Sequence, residues 1–460
     1  MDADEIAARA GVPVERHGGQ LRFAERLVAR YRGRLLYVHG IGWHVWDGCR
    51  WALDKDGAAV RAVAETLKAA FPELSGLDEE SRKSLLRDIG KCESASGTDG
   101  VLRLASCLEE VAVAADRMNP DPFLFNTPGG TYDLRTGTLR PADPEDLITK
   151  VSGADPSGDA PNFMAFIARV LPDKEVREFV QRLLGSALSG VVRDHLLPIF
   201  NGEGANGKST LENAVREAVG EYGINIDPKM LLTQRFDAHT TERMDLMGAR
   251  LVFAHETNKG RELDAAVVKA LTGGDAIRAR RMRQDPVEFT PTHTLVMVTN
   301  HLPNVSADDP ALWRRLVVVP FDVVIPEAER DTSLADVLRL ELGGITAWLL
   351  EGYRKYEMEG PNPPASVQLA TDDYKSSADA LGRFIEEHCE VGQCLTEMSS
   401  AISKGYREWC LAAGEPTMPD KDLKIAMERR GFEWARTNTG RIYRGVAVKP
   451  PPTPEGFQDR

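Results

Sequence analysis

At 460 residues, with 42% hydrophobic and 28% charged side chains, the chain is long enough for two to four domains with ordinary cores. No apolar run reaches the roughly 18 residues of a membrane-spanning helix. The net charge of −13 argues against a surface that binds nucleic acid everywhere, so any such contact must come from local basic patches.

Residues 1–20 read as a poorly ordered, acidic lead without a signal-peptide pattern. Helical spacing follows at 22–31. Residues 34–53 alternate apolar and polar around Gly40, Gly42 and Gly48, which predicts a small antiparallel meander. Its Trp43, Trp46 and Trp51 read as sheet core in preference to a base-stacking platform. Helices are expected at 60–71, 80–86 and 102–118. Residues 123–138 return to hairpin-like sequence, with turns at Pro128-Gly129-Gly130 and Thr136-Gly137. Residues 1–150 are therefore read as one α+β unit. The six cysteines, 49, 92, 107, 389, 394 and 410, are scattered. His388, Cys389 and Cys394 lie close together, but no second pair completes a zinc knuckle. Reduced, structural thiols in a cytoplasm are expected.

Residues 153–162 read as a linker and 163–188 as a helical collar. An apolar run at 196–200 predicts a buried strand, and it leads into GEGANGKS, Gly202 to Ser209, followed by Thr210. Strand, glycine-rich loop and helix form the context of a phosphate-binding loop. Gly202, Gly204 and Gly207 let backbone amides turn onto phosphate oxygens, with Glu203, Ala205 and Asn206 between them. The helix N-terminus adds partial positive charge. Lys208 would reach the β- and γ-phosphates of ATP, and Ser209 would hold Mg²⁺.

RLVFAHE, from Arg250, reads as a strand buried on both faces and ending on Glu256, a carboxylate suited to metal and attacking water. TLVMVTN, from Thr294, is a second such strand, ending on Asn300, whose amide can bond both γ-phosphate and water. Between them Arg278, Arg280, Arg281 and Arg283 form a basic cluster with no acid inside it. Trp313, Arg314 and Arg315 precede a third apolar run, and an arginine there can reach a neighbouring subunit's nucleotide. Helix is expected at 334–357, with a boundary at Pro361 to Pro364. In 375–449 three helices, at 380–387, 397–413 and 420–430, precede a basic hairpin turning at Thr439-Gly440, the pattern of a winged helix. The proline-rich tail, 450–460, is expected to be disordered.

The ordered series GEGANGKST, RLVFAHE, LTGGDAIRARR, EFTPTHTLVMVTNHLPNV and LWRRLVVVPF resembles the superfamily 3 helicases. More closely it is similar to the phage and plasmid primase-helicases related to the poxvirus primase-helicase. One departure is His255, where many members carry a first acid ahead of the second. The resemblance implies an α/β, AAA+-like phosphate-loop core at 160–365, an accessory α+β domain before it and a C-terminal winged helix. It also implies a hexameric ring with ATP at each interface, moving 3′ to 5′ on single-stranded or forked DNA in a bacterial cytoplasm, and it favours Arg315 over Arg314 as the arginine in trans, because the family's arginine abuts the strand. A different class remains open, an origin-binding initiator or loader that uses ATP only as an assembly switch. The D-x-D pairs Asp2/Asp4 and Asp54/Asp56 lie in the lead and in an expected turn, so any primase is expected on a separate chain.

Overall fold

Alternating apolar residues fold the first unit into three antiparallel strands, β1 (Leu35–Val38), β2 (Gly42–Trp46) and β3 (Trp51–Leu53). The computed structural model describes residues 17–233, 242–256, 260–280, 286–438 and 440–449. Trp51 is buried and meets half-buried Trp46 edge-on, so these tryptophans serve as sheet core. Helices Gly19–Arg30, Ala58–Ala70, Glu79–Cys92 and Ala95–Ala105 share a core through Phe23, Leu27, Val63, Ile89 and Val101. The Asp54 carboxylate accepts from the amides of Gly57, Ala58 and Ala59, which commits it to capping the second of these helices.

The helix expected at 102–118 stops at Ala105. Val111 and Val113 instead offer their carbonyls to the amides of Tyr37 and His39, and β4 (Ala112–Val113) runs parallel to β1. The apolar spacing fits either element, and the open edge of β1 decides for the strand. A second meander follows, β5 (Leu124–Thr127), β6 (Gly130–Asp133) and β7 (Thr138–Arg140). The glycine-rich stretch expected as a linker is laid onto the next unit. Gly153 donates its amide to Ala218 O at 2.9 Å, and Ser157 donates to Gly343 O at 3.2 Å.

The apolar runs beyond residue 196 make β8 (Leu197–Asn201), β9 (Gly223–Ile226) and β10 (Leu251–Glu256). A hairpin, β11 (Ile277–Ala279) and β12 (Val287–Phe289), precedes β13 (Thr294–Thr299) and β14 (Leu316–Pro320). Five of these strands form one parallel sheet, ordered β14-β8-β13-β10-β9. Continuous apolar runs suit a sheet covered on both faces. Phe200, Phe253, Val296 and Val319 pack with helices Lys174–Ser186, Lys208–Val219 and Leu342–Glu359. Their neighbours in sequence, Ile199, Val252, Met297 and Val318, join a separate core with Leu231, Leu263 and Trp313. Two of the covering helices touch backbone to backbone. A Cβ on Gly185 would lie 2.3 Å from Tyr353 N, and one on Gly352 would lie 2.2 Å from Gln181 O.

The last unit packs helices Ala380–His388, Ser399–Ala413 and Asp420–Arg429 on a sheet ordered β15-β17-β16. Its strands are β15 (Cys389–Met398), β16 (Glu433–Thr437) and β17 (Gly440–Val448), all antiparallel. β15 is absent from the sequence expectation. Its register on β17 shifts between Val391 and Thr396, and that irregularity breaks the alternation that marks a strand. Arg430 joins this unit to the parallel-sheet unit by an ion pair to Asp308 at 3.4 Å, and also pairs at 2.6 Å with Asp379, the cap of this unit's first helix. Among the described residues no helix is long and apolar enough to cross a membrane.

Arg250, at the start of β10, is the buried tie between the second meander and the parallel sheet. Its guanidinium donates to Leu188 O and to Leu124 O, and lies 4.7 Å from the Tyr222 ring centre. Arg250→Met keeps the volume but leaves two buried carbonyls without donors. The expected loss is about 3 kcal/mol of stability, read from the urea midpoint. An unchanged midpoint contradicts this role for Arg250.

Candidate functional site

β8 delivers the chain to the edge of the sheet at Asn201, and helix Lys208–Val219 takes it back under the sheet. The loop between them turns in left-handed backbone at Ala205 (φ 59°) and Gly207 (φ 82°). A Cβ at Gly207 would also lie 2.5 Å from Val170 Cγ1, so glycine is required there twice over. The loop is pinned from behind. Ile325 N donates to Ala205 O at 2.8 Å, and the buried Asn206 Nδ2 donates to Phe321 O at 3.0 Å.

Lys208 lies beneath this loop, only 4% exposed. Its Nζ donates to Gly202 O at 2.6 Å, Asn206 Oδ1 at 2.9 Å and Asn300 Oδ1 at 3.2 Å. All three partners are neutral oxygens. Burial therefore pulls the ammonium pKa down to about 8. Glu203, Gly204, Ala205 and Ser209 are exposed around it, and Thr210 is half-buried. The arrangement is a cationic pocket floored by Lys208, rimmed by backbone and open at a helix N-terminus.

Sheet order brings three strand ends to this edge. Asn201 pairs in register with Thr299, and Thr299 with Glu256. Asn300 thus follows the strand between Lys208's strand and Glu256's, which is why its amide reaches Nζ. Glu256 enters the argument only through its backbone position at the end of β10.

The two arginines are elsewhere. Arg315 O accepts from Leu197 N at 2.6 Å, at the opposite end of β8 from the loop. The length of that five-residue strand, about 13 Å from first to last residue, separates them from the lysine pocket. Arg315 is 9% exposed and donates to Thr272 Oγ1 at 3.2 Å and Ala311 O at 2.6 Å. Arg314 is exposed. Arg278 and Arg280 are exposed on or beside β11, with Ile277 and Ala279 buried between them. Arg281 and Arg283 lie outside the described residues.

Sequence reasoning missed Glu212. It is 1% exposed, on the helix that begins at Lys208, and its Oε2 is 2.6 Å from His255 Nε2. The available signal was an acid placed one turn after Lys208, on a helix face otherwise filled by Leu211, Val215 and Val219.

Comparison with known proteins finds likenesses over both halves of the chain. Residues 24–172 match the "D5 N terminal like" family, and 200–315 match a family of unknown function, DUF5906. A protein of Acanthamoeba polyphaga mimivirus, named as a helicase, is 27% identical over 81% of this chain and 42% of its own length. A protein of African swine fever virus, named as a primase, is 22% identical over 80% of this chain and 42% of its own. The chain thus spans about two fifths of the length of these curated relatives. The apo structure of the NrS-1 C-terminal region aligns with 64% of this chain and 77% of its own, at 13% identity and a TM-score of 0.39, too loose a likeness to bear on the fold. The two matched regions and the viral relatives agree with one another, and together they support a likeness to the phage and viral primase-helicases.

Proposed function

We propose that the chain is an ATP-driven replicative DNA helicase of superfamily 3, encoded by a phage or mobile element and acting in a bacterial cytoplasm. The observation that carries this reading is the bond from Lys208 Nζ to Asn300 Oδ1 at the edge of the parallel sheet. It joins the floor of the loop to the end of a second strand, so a phosphate displacing one partner is felt by the other. On this reading Gly202 to Ser209 is a phosphate-binding loop in an AAA+-like core, and the helices and sheet of 380–448 are a winged helix.

Lys208 exchanges neutral carbonyl partners for γ-phosphate oxygens, and Asn300 is released to orient water. Ser209 and Glu256 would hold Mg²⁺, which neutralises phosphate charge when bound. The exposed Ser209 hydroxyl at the helix N-terminus is an oxygen donor of the kind a hard cation takes. Arg278 and Arg280 stand on a hairpin whose buried side is anchored in the sheet's core, a rigid mount for gripping backbone phosphates of single-stranded or forked DNA. Several basic groups of the C-terminal unit are already engaged, Arg444 with Glu433 and Lys424 over the Trp434 ring, which favours the hairpin as the main DNA contact.

The arginine positions favour a homo-oligomeric ring, with six subunits as the resemblance implies. An arginine a strand's length from its own lysine pocket serves a neighbour's. Arg315 is held inside its own subunit, so the exposed Arg314 replaces it as the favoured arginine in trans.

Lys208→Ala is expected to lower ATP turnover about 100-fold, the equivalent of roughly 3 kcal/mol of lost charge stabilisation. Calorimetry in buffers of different ionisation heat gives a second signature. Lys208 titrates near pH 8 when free, and phosphate raises that value. ATP binding to wild type should then take up about half a proton at pH 8 and almost none at pH 6.5, where the ammonium is already charged. Uptake that persists in Lys208→Ala would assign it to another group.

For the arginine, Lys208→Ala subunits are mixed with Arg314→Ala subunits, each inactive alone. Mixed rings contain interfaces with both groups intact, and part of the ATPase activity should return. The same mix with Arg315→Ala should return less, because that change disturbs its own subunit. No recovery in mixed rings of proven composition contradicts action in trans.

A further inference from the structure

The sheet alternates its side chains between two faces, and the alternation fixes where His255 points. Leu251 and Phe253 pack into the core shared with helix Lys208–Val219, whereas Val252 and Ala254 join the opposite core. His255 continues the first series and faces that helix. On the helix, Glu212 follows Lys208 by one turn and Ser209 by three residues, so all three share one side. The two series meet with Glu212 Oε2 2.6 Å from His255 Nε2.

Glu212 is an unusual resident of this core. It is 1% exposed, and neither carboxylate oxygen accepts a hydrogen bond among the described residues. The approach of His255 is an ion-pair contact whose ring N–H is not aimed as a hydrogen bond, and His255 itself is 36% exposed. A buried carboxylate left this way costs several kcal/mol, more than an apolar side chain of similar size would. Leu211, Val215 and Ala218 show that the surrounding face is apolar. Packing alone therefore does not account for an acid at 212. A cation arriving beside it does.

Resting on the nucleotide-site reading above, we propose that Glu212 and His255 together supply the acid that position 255 lacks. Glu212 carries the negative charge, set one side chain deeper in the core. His255 covers it at the strand end and transmits it to the magnesium-bound phosphates. His255 is the member that meets the ligand, and Glu212 is a positioning residue that acts through it.

The test is binding of a fluorescent ATP analogue, titrated with Mg²⁺, with ATP turnover recorded alongside. Glu212→Gln should raise the Mg²⁺ midpoint about tenfold. His255→Ala, at a part-exposed position that carries little folding risk, should give the same shift. The double variant E212Q with H255D moves the charge to the strand end and should return the midpoint to within about threefold of wild type. A structural role predicts no such rescue. Midpoints within twofold of wild type in both single variants, or a double variant no better than Glu212→Gln, overturn the pairing. Wild type that binds no nucleotide at any Mg²⁺ concentration overturns the nucleotide site itself, a distinct result.

Discussion

A buried ammonium surrounded by neutral oxygens is costly to maintain, and this chain maintains one in Lys208. The three oxygens that hold it come from the start of the loop, from inside the loop and from the end of β13. Each is fixed by something else. The loop is fixed by the left-handed turn at Gly207 and by Asn206's bond to Phe321 O, and Asn300 by the register of β13 against β8. The parallel sheet can thus be viewed as a frame that holds one positive charge where a polyphosphate can reach it. A lysine pocket short of anionic partners is ready for an anion, and its lowered pKa is the electrostatic record of that shortage.

The same frame separates functions by distance. Strand ends on one edge carry Asn201, Glu256 and Asn300, and the opposite edge carries Arg314 and Arg315. Parallel strands make this separation unavoidable, since every strand enters from one edge and leaves at the other. If the loop binds phosphate as proposed, an arginine at the far end of a strand cannot reach that phosphate within one subunit. They can meet between subunits, and this makes assembly part of the proposed chemistry. The docked segment around Gly153 and the buried Arg250 tie the second meander to this frame.

Much of this was legible in the residues, and what was hidden was hidden for physical reasons. The loop was readable because its residues are contiguous and its geometry is local. Glu256 and Asn300 were readable as strand ends because buried parallel strands are written as unbroken apolar runs. Which edge the arginines occupy was not readable, because strand order depends on contacts far apart in sequence. The resemblance favoured Arg315, which abuts the strand, and its burial and bonds to Thr272 and Ala311 turn the choice to Arg314. Glu212 was invisible for the same reason, since its significance lies in His255 on another strand. β15 was masked by its bulge, and the helix expected at 102–118 gave way to the free edge of β1.

The account stands or falls on coupling between the lysine pocket and movement along DNA. The direct measurement is strand displacement on forked duplexes that carry only a 3′ or only a 5′ single-stranded tail, with ATP or a non-hydrolysable analogue. The account predicts displacement with ATP alone, and only from the 3′-tailed substrate. ATP-dependent assembly on both substrates, without displacement of either, would contradict it and make the chain a loader that uses ATP as a switch.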